Sequence, residues 1–163
     1  MPYLCGLLQD VRSLSLSVAR PHYATLTGIS APPRSYIVPV LIVDDDEPNR
    51  TVFKKTLVYC GIKADTATNG QEALTSYLQK RHRLIFMDLN MPVMDGFAAT
   101  QAIRAHELAQ GWSPVTIIAM TAGDTSKEQC LAAGMNAYAR KPIMFDEAKT
   151  LLRNWAPDLE EET

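Results

Sequence analysis

The chain has 163 residues, 47% of them hydrophobic and 21% charged, with a net charge of −2 at pH 7. That length and composition predict one soluble domain with a flanking extension, and the weak acidity excludes the strongly basic footprint of a direct nucleic-acid binder. No apolar run approaches the roughly 18 residues of a membrane helix, and three scattered cysteines (Cys5, Cys60, Cys130) fit neither a disulfide framework nor a zinc site. A reducing, cytoplasmic setting is the expectation.

Residues 1–36 stand apart. They carry three arginines (Arg12, Arg20, Arg34) against the single acid Asp10, and they run into Ala31-Pro32-Pro33. Leu4, Leu7, Leu8, Val11, Leu14 and Val18 recur at helical spacing, which predicts one amphipathic helix in this N-terminal extension. The serine- and arginine-rich composition also admits an organelle transit peptide, set against a docking helix or a linker.

From residue 37 the chain alternates. Residues 38–43 (Val-Pro-Val-Leu-Ile-Val) form an apolar run that suits a strand buried on both faces. Asp44-Asp45-Asp46-Glu47-Pro48 follows, a helix start with early acids and proline. Val52, Phe53, Thr56, Leu57 and Cys60 share a helical face, which Gly61 ends. Residues 62–68 read as a weaker strand. Asn69 caps a helix with Glu72 three places on, and Ala73, Leu74, Tyr77 and Leu78 give its apolar face.

The third strand covers 84–87 and ends at Asp88. A helix over 96–110 follows, with Phe97, Ile103 and Leu108 apolar and Gly111 as its stop. The fourth strand covers 115–120 and leads into Thr121. A short helix at 126–133, a fifth strand at 136–139 and a last helix at 143–155 complete the series. Five strand–helix units predict an α/β fold with a doubly wound, five-stranded parallel sheet, (βα)5, over 37–156. An acidic tail follows at 157–163.

In such sheets ligands sit outside the carboxyl ends of the strands. Those ends carry Asp44, Asp45 and Asp46, then Asp88, then Thr121, then Lys141-Pro142. Converging carboxylates repel one another unless a cation is present, and hard oxygen ligands suit Mg²⁺. A lysine and a threonine hydroxyl can contact phosphate oxygens, and an aspartate can carry a covalent acyl phosphate. Together these residues describe a phosphoryl-transfer site. Separately each has a plainer reading: a solvated turn, a helix cap or a surface lysine. Their joint occurrence at four strand ends is what favours the site. Gly96 reads as a backbone requirement, and Met87, Met91, Met94 and Met120 read as packing. His106-Glu107 reads as a surface histidine within a helix.

At these residues the chain resembles the receiver domain of two-component response regulators. The resemblance rests on Leu-Ile-Val-Asp44-Asp45-Asp-Glu-Pro-Asn-Arg, Phe-Met-Asp88-Leu-Asn-Met-Pro92-Val-Met-Asp-Gly96, Ala-Met-Thr121-Ala and Tyr138-Ala-Arg-Lys141-Pro142. It implies a flavodoxin-like fold. It also implies Asp88 as phosphoacceptor, and Mg²⁺ held by Asp44, Asp45, Asp88 and the backbone carbonyl of Asn90. Thr121 and Lys141 would contact the phosphoryl group, Thr121 and Tyr138 would move together as a switch, and Lys141-Pro142 would be cis.

The implied partners are a histidine kinase or histidine phosphotransfer protein and a downstream protein target. The 22 residues after Lys141 are too few for an output domain, so a stand-alone regulator or the receiver of a hybrid kinase is expected. Self-catalysed phosphotransfer, rather than turnover of a substrate, is the expected chemistry. Two alternatives are weighed against this. A phosphatase of haloacid-dehalogenase type wants Asp-x-Asp, but Asp88-Leu-Asn90 lacks the second acid. A degenerate receiver acting only as a binding module would have lost residues that this chain keeps.

Overall fold

The computed structural model describes residues 40–159 other than 124. The expected N-terminal helix, the boundary at 36 and residues 160–163 lie outside the described residues.

The elements run β1 (Val40–Val43), α1 (Glu47–Tyr59), β2 (Ala64–Ala67), α2 (Gly70–Lys80), β3 (Leu84–Asp88), α3 (Gly96–Gln110), β4 (Thr116–Thr121), α4 (Lys127–Ala132), β5 (Ala137–Arg140) and α5 (Phe145–Trp155). A short 3₁₀ turn at Pro157–Leu159 follows. The sheet order is β2-β1-β3-β4-β5, and every pairing is parallel.

The burial of the strands explains their continuous apolar sequence. All residues of β1 and β3 are buried. Alternate side chains feed two cores: Val40, Ile42, Leu84, Phe86 and Ile118 pack with Phe53, Leu57 and Leu152 on the α1/α5 side. Leu41, Val43, Ile85, Met87 and Ile117 pack with Ala73, Tyr77, Ile103 and Cys130 on the α2/α3/α4 side. A parallel sheet covered on both faces demands this composition. Phe86, edge-to-face with Phe53 at 4.8 Å between centroids, is central to the first core; truncation to Ala would cost about 4 kcal/mol.

Local signals set the helix ends. Asp46 Oδ1 accepts the Asn49 N–H at 2.8 Å, so the third acid of the triplet is the α1 N-cap. Asn69 Oδ1 accepts the Glu72 N–H at 2.9 Å, while Glu72 Oε2 reaches back to the Thr68 N–H rather than to that of Asn69. Gly61 and Gly111 take positive φ just past α1 and at the end of α3, where the missing Cβ removes the steric cost.

Several expectations need correction. Val52 and Leu108, assigned to apolar faces, are 62% and 85% exposed. In α3 the inward position falls to Glu107 instead, one residue before Leu108. The second strand is confined to Ala64–Ala67, and the Ile62 N–H still donates back to the Leu57 carbonyl of α1 at 2.9 Å. The core also continues past 156: Leu159 is buried against the α1/α5 side.

Candidate functional site

The chain order sends β2 to one side of β1 and β3 to the other. Loops therefore leave β1 and β3 in opposite directions, and a crevice opens at their carboxyl ends. Asp44 directly follows β1 and Asp88 ends β3. Both are buried, whereas Asp45 is exposed.

Lys141 follows β5 directly and crosses to these acids. Its Nζ lies 2.6 Å from Asp44 Oδ2 and 2.7 Å from Asp88 Oδ2. Its own N–H donates to the Thr121 carbonyl at 2.8 Å, which ties the start of its loop to the end of β4. The Lys141-Pro142 peptide is cis, as the resemblance implied. Thr121 is buried, and its Oγ1 accepts the Gly123 N–H at 3.1 Å.

The electrostatics follow from burial. Burial pushes the Asp88 carboxyl above its usual range; the Lys141 ammonium and the Asn90 N–H oppose that rise, and the charge of Asp44 adds to it. Burial pulls the Lys141 ammonium down, but hydrogen bonds and charge attraction from Asp44 and Asp88 outweigh this and hold it above its usual value. Lys141 is thus a fixed cation between two carboxylates.

One carboxylate oxygen each from Asp44, Asp45 and Asp88 lie within 4.8 Å of one another. Three hard anionic donors in that space fit a small divalent cation such as Mg²⁺, which keeps water in its remaining positions. Asn90 is exposed in the turn after β3, and its N–H donates to Asp88 Oδ1 at 3.3 Å. Tyr138 lies on β5 opposite Ala119 of β4 and is 43% exposed. Of the residues expected at the site, the structure brings Asp44, Asp45, Asp88 and Lys141 together and leaves Tyr138 at the surface of the neighbouring strand. Asp46 faces away as a cap.

Gly96 has the backbone role expected of it. A Cβ there would collide with the Asp88 carbonyl oxygen, so the start of α3 packs directly against the Asp88 peptide. Sequence reasoning missed Arg50. Its Nη1 donates to the carbonyls of Asp44 at 2.7 Å and Asp45 at 3.1 Å. An arginine in the first turn of a helix gives no sequence signal for that contact. A groove of about 350 Å³, lined by Asp44, Pro48, Val52, Lys141 and Pro142 among others, runs beside the site.

A doubly wound parallel sheet with three acids and a lysine gathered at its carboxyl edge is the arrangement that the resemblance to receiver domains implied. The family comparison is specific: the response regulator receiver domain profile matches residues 40–153, and the chain belongs to that family. It is 40% identical over 118 residues to Hybrid signal transduction histidine kinase E of Dictyostelium discoideum, covering 71% of this chain and 7% of that kinase. It is 33% identical over 155 residues to Probable histidine kinase 1 of Oryza sativa subsp. indica, covering 77% of this chain and 16% of that protein. The chain therefore spans less than a fifth of the length of these relatives.

Among solved structures it is similar to a chain of the co-crystal of the Saccharomyces cerevisiae histidine phosphotransfer signaling protein Ypd1 and the receiver domain of its downstream response regulator Ssk1. The TM-score is 0.69 and the identity 32%, over 74% of this chain and 90% of that one. It is also similar to the receiver domain of sensor histidine kinase PA1611 from Pseudomonas aeruginosa PAO1, which has a magnesium ion coordinated in its active site cleft. There the TM-score is 0.64 and the identity 36%, over 71% and 94%. The chain is a receiver domain of a two-component or phosphorelay system. Among the described residues, no helix is long and apolar enough to cross a membrane.

Proposed function

We propose that this receiver is a phosphorylation switch whose acceptor is Asp88. The observation that carries the reading is the Lys141 ammonium bridging Asp44 and Asp88 at 2.6 and 2.7 Å, with Asp45 alongside. An Asp88 carboxylate oxygen attacks the phosphorus of a phosphohistidine. The new O–P bond replaces the P–N bond, and the imidazole of the donor leaves. Mg²⁺ held by Asp44, Asp45, Asp88 and the Asn90 carbonyl would neutralise charge on the phosphoryl oxygens.

Lys141 releases Asp88 and pairs with a phosphoryl oxygen, which conserves its charge compensation. The Thr121 hydroxyl exchanges the Gly123 N–H for the phosphoryl group, and Tyr138 on the adjacent strand turns inward as Thr121 moves. The donor is a histidine kinase or histidine phosphotransfer protein, and the output is a contact with a downstream protein in the cytoplasm. The groove lined by Pro48, Val52 and Pro142 beside Asp44 offers a phosphohistidine protein an apolar footing next to the acceptor.

Incubation with phosphoramidate, whose P–N bond mimics phosphohistidine, tests the reading. One phosphoryl group should be gained with Mg²⁺ and none with EDTA. Equal labelling in EDTA would overturn the metal-assisted mechanism.

A further inference from the structure

We infer that Arg50 is a positioning residue that sets the Mg²⁺ affinity of the site, an inference that rests on the metal reading above. The acidic turn has only three residues, Asp44 to Asp46, between β1 and α1. Its two inner peptide units are planar, so fixing a carbonyl also fixes the N–H on the other side of the same unit. Arg50 Nη1 donates to the Asp44 carbonyl at 2.7 Å and to the Asp45 carbonyl at 3.1 Å. The unit that contains the Asp45 carbonyl also contains the Asp46 N–H. That N–H donates to Asp44 Oδ1 at 2.9 Å.

One guanidinium nitrogen therefore locks the peptide plane that aims the Asp44 carboxylate. It also locks the plane before it, and Asp45 is left between two fixed units. The Asp45 side chain leaves a Cα whose backbone cannot turn, although it is itself exposed. Charge-assisted bonds to both carbonyls suit this task, and a lysine could not reproduce the planar geometry of the donor group.

Two effects of Arg50 on a bound cation have opposite signs. Its positive charge repels Mg²⁺, so removing the charge alone would tighten binding. Its hold on the turn pre-forms the ligand set, so removing the hold weakens binding. Loss of a side chain that orients metal ligands weakens affinity by about 10- to 100-fold. A half-buried arginine at close range to the turn is screened by solvent, so the hold should win.

The test uses the full chain and the variants Arg50→Met and Arg50→Lys. Mg²⁺ dissociation constants are measured by calorimetry. Exchange of the Asp46 N–H is followed by NMR in metal-free protein, and thermal unfolding verifies that each variant folds. The expected result is about tenfold weaker Mg²⁺ binding and faster Asp46 exchange in Arg50→Met, with partial recovery of both in Arg50→Lys. Unchanged or tighter Mg²⁺ binding in Arg50→Met, with a parent that binds, overturns the inference and leaves the proposed function standing. A parent that binds no Mg²⁺ overturns the metal reading itself, and this inference with it.

Discussion

Lys141 Nζ lies 2.7 Å from Asp88 Oδ2, and the same nitrogen holds Asp44 at 2.6 Å. The three side chains are 15%, 8% and 3% exposed, so the lysine is the cation that compensates two buried carboxylates. Replacing it with Met strands both charges. The expected loss is about 3 kcal/mol of unfolding free energy in metal-free buffer, the scale for breaking a buried ion pair from one side. Added Mg²⁺ should stabilise Lys141→Met more than the parent, because it restores positive charge and binds only the folded state. Urea unfolding with and without Mg²⁺ checks this, and an equal metal increment in both proteins would contradict it.

A second prediction concerns pH. His82 is buried, and its Nε2 lies 3.0 Å from Asp65 Oδ2. Burial holds the imidazole below its ordinary value of 6.5, against the opposing pull of Asp65. The unfolded chain therefore binds this proton more readily than the folded one. The contribution is complete above pH 6.5 and is lost as pH falls through the lower folded value, with a slope approaching about 1.4 kcal/mol per pH unit. The Asp65 carboxyl is partly buried, but Lys80 and His82 outweigh that and hold it below 3.8, so its contribution is lost only in stronger acid. His82→Gln should flatten the stability profile between neutral and mildly acid pH. An unaltered profile would remove His82 from the account.

A third prediction concerns the amino-terminal ends of the strands, away from Asp88. Glu107 is buried and accepts from Tyr77 Oη at 2.7 Å, the Val115 N–H at 2.7 Å and Arg104 Nη1 at 2.6 Å. Arg104 continues to the Gly134 and Val115 carbonyls and to Asn136 Oδ1. This network joins α2, α3 and the approaches to β4 and β5. Glu107→Ala should cost about 3 kcal/mol, since it leaves a buried phenol, an amide and a guanidinium short of an acceptor. Tyr77→Phe should cost only about 1 kcal/mol. Burial and the Glu107 hydrogen bond push the Tyr77 phenol up to about 12. Ultraviolet titration should accordingly show one tyrosine ionising late, and Tyr77→Phe should remove that step.

The legible parts of the fold are those where composition and function coincide. The short apolar runs at β1, β3 and β4 suit strands covered on both faces, and Asn69 and Gly111 mark helix ends by side-chain chemistry and φ. The acids, Thr121 and Lys141 were legible because several chemical groups end several strands together. Arg50, Glu107 and His82 were not. Each is a charged or titratable residue whose partner is a backbone group or a side chain far along the sequence, and periodicity reads such residues as solvated. Leu108 misled for the converse reason: an apolar residue adjacent to an inward position counts toward the helical pattern while facing water.

A fourth prediction concerns the lifetime of the phosphorylated state. Asn90 and Gly123 each stand two places beyond a central group, Asp88 and Thr121. Asn90 has an amide that can hold the attacking water. A Cβ added at Gly123 would meet nothing within 4 Å, so the position opens onto free space. Asn90→Ala should alter the decay of phospho-Asp88, and Gly123→Leu should slow it by narrowing the approach of water. Identical decay curves in the parent and both variants would show that other groups control the water.

The central claim is that Asp88 receives the phosphoryl group, and intact-mass measurement after incubation with acetyl phosphate and Mg²⁺ tests it most directly. The parent should gain the mass of one phosphoryl group and lose it again on standing in neutral buffer. Asp88→Asn, folded by the same thermal criterion, should gain none. Labelling of Asp88→Asn at the parent's rate, or no labelling of the parent, would contradict the account.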